Sequence, residues 1–232
     1  MRLRKRIFRG EHLKDDKVVE ATFTINHIAV DTGWGLKEER IGGEHDGASH
    51  WKPPLVDYET DFEKLKFPEY IIDHDRTNRI LDYAKTLFDG VLDVKLYRDW
   101  VCTAGLTVDY IYLRGLEQMM MDFCDEPEWV HKTMGFLRDG LLHRLEWLEN
   151  EGLLCRNSGG EYVGSGGCGW TEQLPPVNQP GKVLLRDRWG FAESQETVGV
   201  SPEMFEEFVF PYQLLLMDKF GLGCYGCCEP LD

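Results

Sequence analysis

Sulfur and carboxylate side chains crowd the stretch Gly223-Cys-Tyr-Gly-Cys-Cys-Glu-Pro-Leu-Asp232. Cys224, Cys227 and Cys228 lie within five positions of one another, and Glu229 follows directly. Thiolates are soft ligands that favour zinc, and the Cys224-x-x-Cys227 spacing lets two sulfurs meet one tetrahedral ion, with Cys228 and Glu229 as further candidate ligands. A zinc-held thiolate can accept a methyl group; a zinc site can instead activate a substrate thiol as nucleophile. The competing reading is a core strand lined with small free cysteines. A Cys-x-x-Cys pair by itself supplies only part of a zinc ligand set. Gly226 and Pro230, however, suit a plain strand interior poorly.

A second group sits in Asp187-Arg-Trp-Gly-Phe-Ala-Glu-Ser-Gln-Glu196. Asp187, Glu193 and Glu196 can serve as general acid or base or hold a cationic substrate, and Asp187 and Glu193 are the candidate catalytic carboxylates. Trp189 and Gln195, with Tyr225 of the first group, are candidate substrate contacts. The bland alternative is a solvated acidic loop. A third group is Asn26-His27, where the pKa of His27 suits proton transfer and Asn26 can touch substrate. A lone histidine is more often structural. Arg114 either meets a substrate carboxylate or forms a salt bridge on a helix surface. Ser165, in Gly164-Ser-Gly-Gly, lacks the Gly-x-Ser-x-Gly pattern of a serine hydrolase.

Elements that could bring these groups together are legible in the periodicity. Val18 to Val30 is β-branched and aromatic, and reads as one strand or as two broken near Asn26. Residues 36–60, with Gly42-Gly43 and Pro53-Pro54, read as a long surface excursion. A helix is predicted from Asp73 to about Phe88, closed by Asp89-Gly90. Leu92 to Trp100 reads as a strand, and Val108 to Phe123 as a helix with Met119, Met120 and Met121 filling core. Asp125-Glu-Pro-Glu128 then opens a helix whose Val130, Met134, Leu137, Leu141, Leu145 and Leu148 share one face, stopped by Gly152.

Leu153 to Asn157 reads as a strand, and 159–180 as a Gly- and Pro-rich loop. Lys182 to Trp189 is predicted as a buried strand. Ser201-Pro202 starts a helix running to Gly221, with Phe205, Phe208, Tyr212, Leu215 and Leu216 inward. Leu222 to Cys228 is the last strand. Strand, helix and strand in alternation predict parallel strands with right-handed crossovers. Both a closed (β/α) barrel and an open doubly wound sheet satisfy that pattern, and in either one ligands gather at the carboxyl ends of strands. No Gly-x-Gly-x-x-Gly stands between a strand and a helix, which weighs against dinucleotide binding.

Composition narrows the function further. The 232 residues are 42% hydrophobic, enough for one sizeable core. A net charge of -15 argues against a nucleic-acid partner. The basic cluster Arg2, Arg4, Lys5, Arg6 and Arg9 is followed by Gly10-Glu11-His12 and not by an apolar run, so it reads as a basic surface helix and not a leader. No run nears the roughly 18 apolar residues of a membrane span, so no membrane partner is expected. Seven cysteines at irregular spacing fit a reducing, cytoplasmic compartment better than a disulfide framework.

Asp187-Arg-Trp-Gly-Phe191, then Val200-Ser-Pro-Glu-Met-Phe-Glu-Glu-Phe-Val-Phe-Pro-Tyr212, then a strand ending in cysteine, resembles the late-barrel segment of the uroporphyrinogen decarboxylase superfamily. The likeness is strongest over residues 182–232. Arg114-Gly115, Asp125-x-Pro-Glu-x-x-His131 and Tyr162-Val-Gly-Ser-Gly166 extend it toward an uncharacterised bacterial branch. The resemblance implies an α/β fold, a (β/α)8 TIM-type barrel in which residues 1–232 form a single partial domain. The last strands and helices, and an N-terminal part, would lie outside this piece, which alone is expected to be inactive or poorly soluble. The superfamily holds the porphyrinogen decarboxylase and zinc-dependent methyltransferases linked to corrinoids.

If Cys227 takes the place of the methyltransferase cysteine, Tyr225 stands where the zinc-binding histidine would be. Cys224, Cys228 or Glu229 would then supply that ligand, and the remaining cysteine ligand would fall beyond residue 232. The Arg-Gln-Ala-Gly-Arg signature of the decarboxylase is absent. The implied function is therefore a zinc-dependent methyltransferase acting on a small-molecule substrate, with a corrinoid protein as methyl donor or acceptor. A cofactor-independent decarboxylase and a catalytically silent binding barrel are the alternatives.

Overall fold

A computed structural model gives the structure of the chain, and it describes residues 2–13, 19–43, 49–97, 100 and 103–226. In chain order the elements are α1 (Arg2–His12), β1 (Thr22–Ile25), β2 (Ala29–Asp31), β3 (Glu39–Gly42), β4 (Ser49–Lys52), α2 (Tyr58–Asp61), β5 (Tyr70–Ile72), α3 (His74–Leu87), β6 (Asp93–Leu96), α4 (Thr107–Arg114), α5 (Leu116–Asp125), α6 (Pro127–Asn150), β7 (Gly159–Gly164), β8 (Gly167–Trp170), β9 (Trp189–Ala192), α7 (Pro202–Phe208), α8 (Phe210–Met217) and β10 (Leu222–Tyr225). This is a mixed α/β chain. Among the described residues the strands pair two by two, and these pairs form no closed barrel. No helix among them is long and apolar enough to cross a membrane.

The chain divides into two compact units, Met1–Ile28 with Ile72–Arg98, and Ala29–Ile71 with Asp99–Asp232. In the first unit β1 and β6 run parallel, Thr22 beside Asp93 through Ile25 beside Leu96. The α3 helix begins at the expected place, directly after Asp73, which caps it, its carboxylate accepting from Arg76 N at 2.8 Å. The Thr77 hydroxyl donates to Asp73 O at 2.7 Å and accepts from Ile28 N at 3.0 Å, which ties the segment after β1 to the first turn of α3. The expected break near Asn26 is present, since β1 ends at Ile25.

The second unit is organised on α6. Its predicted apolar positions Val130, Met134, Leu137, Leu141, Leu145 and Leu148 are all buried. One expected helix before it is two, because Gly115 breaks the run between α4 and α5 with φ 88°. A β-carbon there would also lie 2.8 Å from the Pro53 ring. The expected 201–221 helix is likewise divided at Val209, where Pro211 lacks an N–H and its ring crowds the carbonyl four residues back. The Gly-rich loop contains the antiparallel hairpin β7–β8. Ser165 and Gly166 both take positive φ at its turn, 47° and 86°, the geometry that matches strand twist. The 36–60 excursion likewise holds the β3–β4 hairpin and α2.

A buried ionic network locks the helix corner. Arg114 grips Asp122 with both sides of its fork, Nε to Oδ2 at 2.7 Å and Nη2 to Oδ1 at 3.2 Å. Its Nη1 donates to the carbonyls of Leu55 and Val56. Asp122 also accepts from the Tyr58 hydroxyl at 2.6 Å and from Gln118 Nε2 at 2.9 Å. Tyr58 has one hydroxyl hydrogen and gives it to Asp122, so Tyr110, 2.7 Å away, donates to Tyr58. The surface salt bridge expected of Arg114 is thus corrected: the side chains of the pair are 8% and 1% exposed. Arg114 binds structure, not substrate.

Burial pushes the Asp122 carboxyl up, but the hydrogen bonds from Arg114, Tyr58 and Gln118 outweigh it and hold the group below its ordinary 3.8. A depressed folded pKa gives stability that is present above 3.8 and lost as pH falls through the folded value. Asp122→Ala, which strands the Arg114 guanidinium, is expected to cost about 3–5 kcal/mol in urea unfolding at neutral pH. The difference from wild type should shrink as pH falls below 3.8 and the Asp122 carboxylate takes up a proton, because wild type then loses the same pair. An unchanged midpoint for Asp122→Ala would refute the network's role.

Candidate functional site at the carboxyl ends of parallel strands

The β9 strand is hydrogen-bonded along both edges. On one side β10 runs parallel, Leu222 beside Trp189 through Tyr225 beside Ala192, and Gly226 N donates to Ala192 O at 3.1 Å. On the other side the Asn157 amide substitutes for a strand, with Nδ2 donating to Trp189 O at 3.1 Å and Oδ1 accepting from Trp189 N at 2.9 Å. Further along the same edge Thr103 bridges Phe191 in parallel, and Ala104 N donates to Phe191 O at 2.7 Å. Segments 103–104, β9 and β10 therefore point the same way. Their carboxyl ends deliver residues 105–107, 193–196 and 225–226 to one region.

Glu193 lies at its centre and is 8% exposed. Its Oε1 accepts from the Thr103 hydroxyl at 3.1 Å, while that hydroxyl accepts from Gly105 N at 3.0 Å. Position 105 must be glycine for this approach, because a β-carbon would fall 2.3 Å from Glu193 Oε1 and 2.7 Å from Glu193 O. Leu106, fully buried, adopts φ 53°, a left-handed conformation that costs a non-glycine residue about 1 kcal/mol or more. The next residue, Thr107, donates from its hydroxyl to Glu196 Oε2 at 2.8 Å.

Gln213 of α8 closes the region from the helix layer and is 2% exposed. Its Nε2 faces Ser194 Oγ at 2.7 Å, Gly105 O at 2.9 Å and Glu193 O at 3.1 Å. Two of these acceptors are carbonyls, so the amide can be turned only one way, and Oε1 is buried without a hydrogen-bond partner among the described residues. A carboxylate held by a hydroxyl beside a strained loop, at the ends of parallel strands, can exchange a proton with a bound molecule.

Of the residues expected from sequence, Glu193 and Glu196 meet here, and Gln195 is exposed beside them. Cys224 is half-buried and lies beside Phe191; Tyr225, at 41% exposure, ends β10 beside Ala192. Asp187 does not join them. The 182–189 strand is corrected to a 3-10 turn at Leu185–Asp187 followed by β9, and the Asp187 carboxylate folds back to accept from Leu184 N at 3.0 Å. Asp187 and Trp189 thus stand at the amino end of β9, away from Glu193. Asn26 and His27 follow β1 in the other compact unit. Cys227, Cys228 and Glu229 lie outside the described residues. Among the described residues no three His, Cys, Asp or Glu side chains gather to hold a metal, so Cys224 alone does not make a zinc site.

Thr103, Gly105, Thr107, Asn157 and Gln213 were not anticipated. Gln213 carried a signal, as a polar residue inside the apolar run Phe210-Pro-Tyr-Gln-Leu-Leu-Leu-Met217. The chain matches no protein-family model, no curated protein and no solved structure. Gly105→Ala is expected to lower stability by about 1–3 kcal/mol in urea unfolding, since Glu193 must move. Gly199→Ala, where nothing stands within 4 Å of the added carbon, should stay within about 0.5 kcal/mol of wild type. Equal effects of the two would contradict the close packing at 105.

Proposed function

We propose that this chain is part of a (β/α)8 barrel enzyme related to the uroporphyrinogen decarboxylase superfamily, transferring a methyl group with the help of zinc and a corrinoid-carrying partner protein. The observation that carries this reading is the parallel pairing of β9 with β10. It sets Cys224 beside Phe191, two residues before the buried carboxylate of Glu193. Sulfur and carboxylate thus leave neighbouring strands at their carboxyl ends, the usual location of chemistry in such folds. Zinc, if held by Cys224 with Cys227, would supply Lewis acidity and a thiolate at neutral pH.

The chain's own residues do the rest in this reading. Thr103 fixes the orientation of Glu193, and Glu193 takes or returns a proton on the bound small molecule. Gln213 holds the backbone of residues 105 and 193 in register, and Tyr225 and Gln195 contact the substrate. The free thiols of Cys124, Cys155, Cys168 and Cys224 accord with a reducing, cytoplasmic setting.

Metal analysis of the purified protein tests this directly. About one zinc per chain is expected, lost in Cys224→Ala and in Cys227→Ala. Glu193→Gln should keep the zinc and slow methyl transfer from methylcobalamin to a thiol by roughly 100-fold or more. A metal-free protein without corrinoid-dependent transfer would overturn the proposal. Loss of carboxyl groups from a substrate by that metal-free protein would favour the decarboxylase.

A further inference from the structure

Three side chains of α6, His143, Arg144 and Trp147, line a cavity of about 160 Å³ together with Pro68, Glu69 and Tyr70, which lead into β5. Trp147 follows the other two by four and three positions, so all three share one side of the helix. No residue of the Glu193 region lines this cavity. Arg144 is fixed in advance. Its Nη2 donates to Asp31 Oδ1 at 2.6 Å and its Nε to Pro68 O at 3.4 Å. The guanidinium also lies 4.5 Å from the centre of the Tyr70 ring, and that ring packs on Trp100 at 4.4 Å.

These bonds leave the Nη1 end of the fork open. Among the described residues neither Arg144 Nη1 nor the Trp147 indole nitrogen has a hydrogen-bond partner, and neither is a buried orphan, so solvent reaches both. Glu69 lines the same cavity with an exposed side chain, yet the ion pair of Arg144 goes to Asp31 and not to Glu69. A cation and an anion thus share one small space without meeting. Asp31 already balances Arg144, so a simple anion gains little here and is repelled by Glu69, while a simple cation is repelled by Arg144. A molecule with one charge of each sign satisfies both groups. Two donors, one from the guanidinium and one from the indole, suit the two oxygens of a carboxylate. The volume limits the guest to roughly the size of benzene, which a cavity of about 150 Å³ accommodates.

We propose that this cavity binds a small zwitterion, a free amino acid, whose carboxylate is received by Arg144 Nη1 and the Trp147 indole N–H and whose ammonium is received by Glu69. The rings of His143 and Pro68 give its side chain an apolar wall. The site involves neither zinc nor methyl transfer, so its failure leaves that reading standing.

The test follows the Trp147 indole N–H by nuclear magnetic resonance in the full chain, its signal assigned as the one lost in Trp147→Phe. Glycine and L-valine are titrated separately, each beside its two fragments: acetate and methylamine for glycine, isovalerate and isobutylamine for valine. A saturable shift of that signal by at least one amino acid is expected, with both fragments of the tighter one binding at least about tenfold more weakly. Glu69→Gln, at an exposed position, should melt with wild type and weaken the amino acid at least about tenfold, without weakening the carboxylate fragment. No saturable shift by either amino acid overturns the proposal. So does a carboxylate fragment that binds as tightly as its parent, since the cavity is then an anion site, and so does unchanged amino-acid binding in Glu69→Gln.

Discussion

The candidate chemistry rests on β9 being bonded along both of its edges. Trp189–Ala192 is only four residues long, too short to hold its place by its own contacts. Its alternate carbonyls and amides are taken by β10 on one side, and by the Asn157 amide and the Ala104 N–H on the other. With no unpaired edge the strand cannot slip, and a one-residue slip would turn Phe191 and Cys224 to the opposite face. Fixing the register fixes where residue 193 emerges. The burial of Glu193 and its contact with Thr103 follow from that placement.

The helical side of the second unit supplies rigidity of a different kind. The Arg114–Asp122 pair, with Tyr58, Tyr110 and Gln118, joins the α4–α5 corner to α2 and to the chain at Leu55 and Val56. Such a network adds little net stability over a hydrocarbon core, but each member needs all the others to be in position. It therefore specifies one arrangement of α4, whose first turn begins directly after the strained Leu106. The strain at Leu106 and the contact of Gly105 with Glu193 are sustained because α4 is anchored at its far end.

Helices whose apolar faces recur every three or four residues were legible in the sequence. The α6 stripe and the start of α3 at Asp73 lie where the sequence pattern put them. Breaks within helices were less legible. Gly115 and Pro211 stand in runs of otherwise helical pattern, and only the backbone shows that each divides its run. The 182–189 stretch misled because Val183, Leu184 and Leu185 are apolar enough for a buried strand. The Asp187 carboxylate instead closes a turn on Leu184 N, a local side-chain bond that hydrophobic pattern cannot anticipate. Glu193 and Glu196 were readable as carboxylates after a strand. Their partners Thr103, Thr107 and Gln213 are distant in sequence and join them only through tertiary packing.

Polar groups of opposite character flank one short strand as a result. Before β9 stands Arg188; after it stand Glu193 and Glu196. Strand dipoles largely cancel in a sheet, so this polarity comes from the side chains themselves. Were the two groups meant to neutralise each other, they would meet, as Arg114 and Asp122 do. Held apart from the arginine, the carboxylates find their counterparts in hydroxyl donors from distant segments, Thr103 for Glu193 and Thr107 for Glu196.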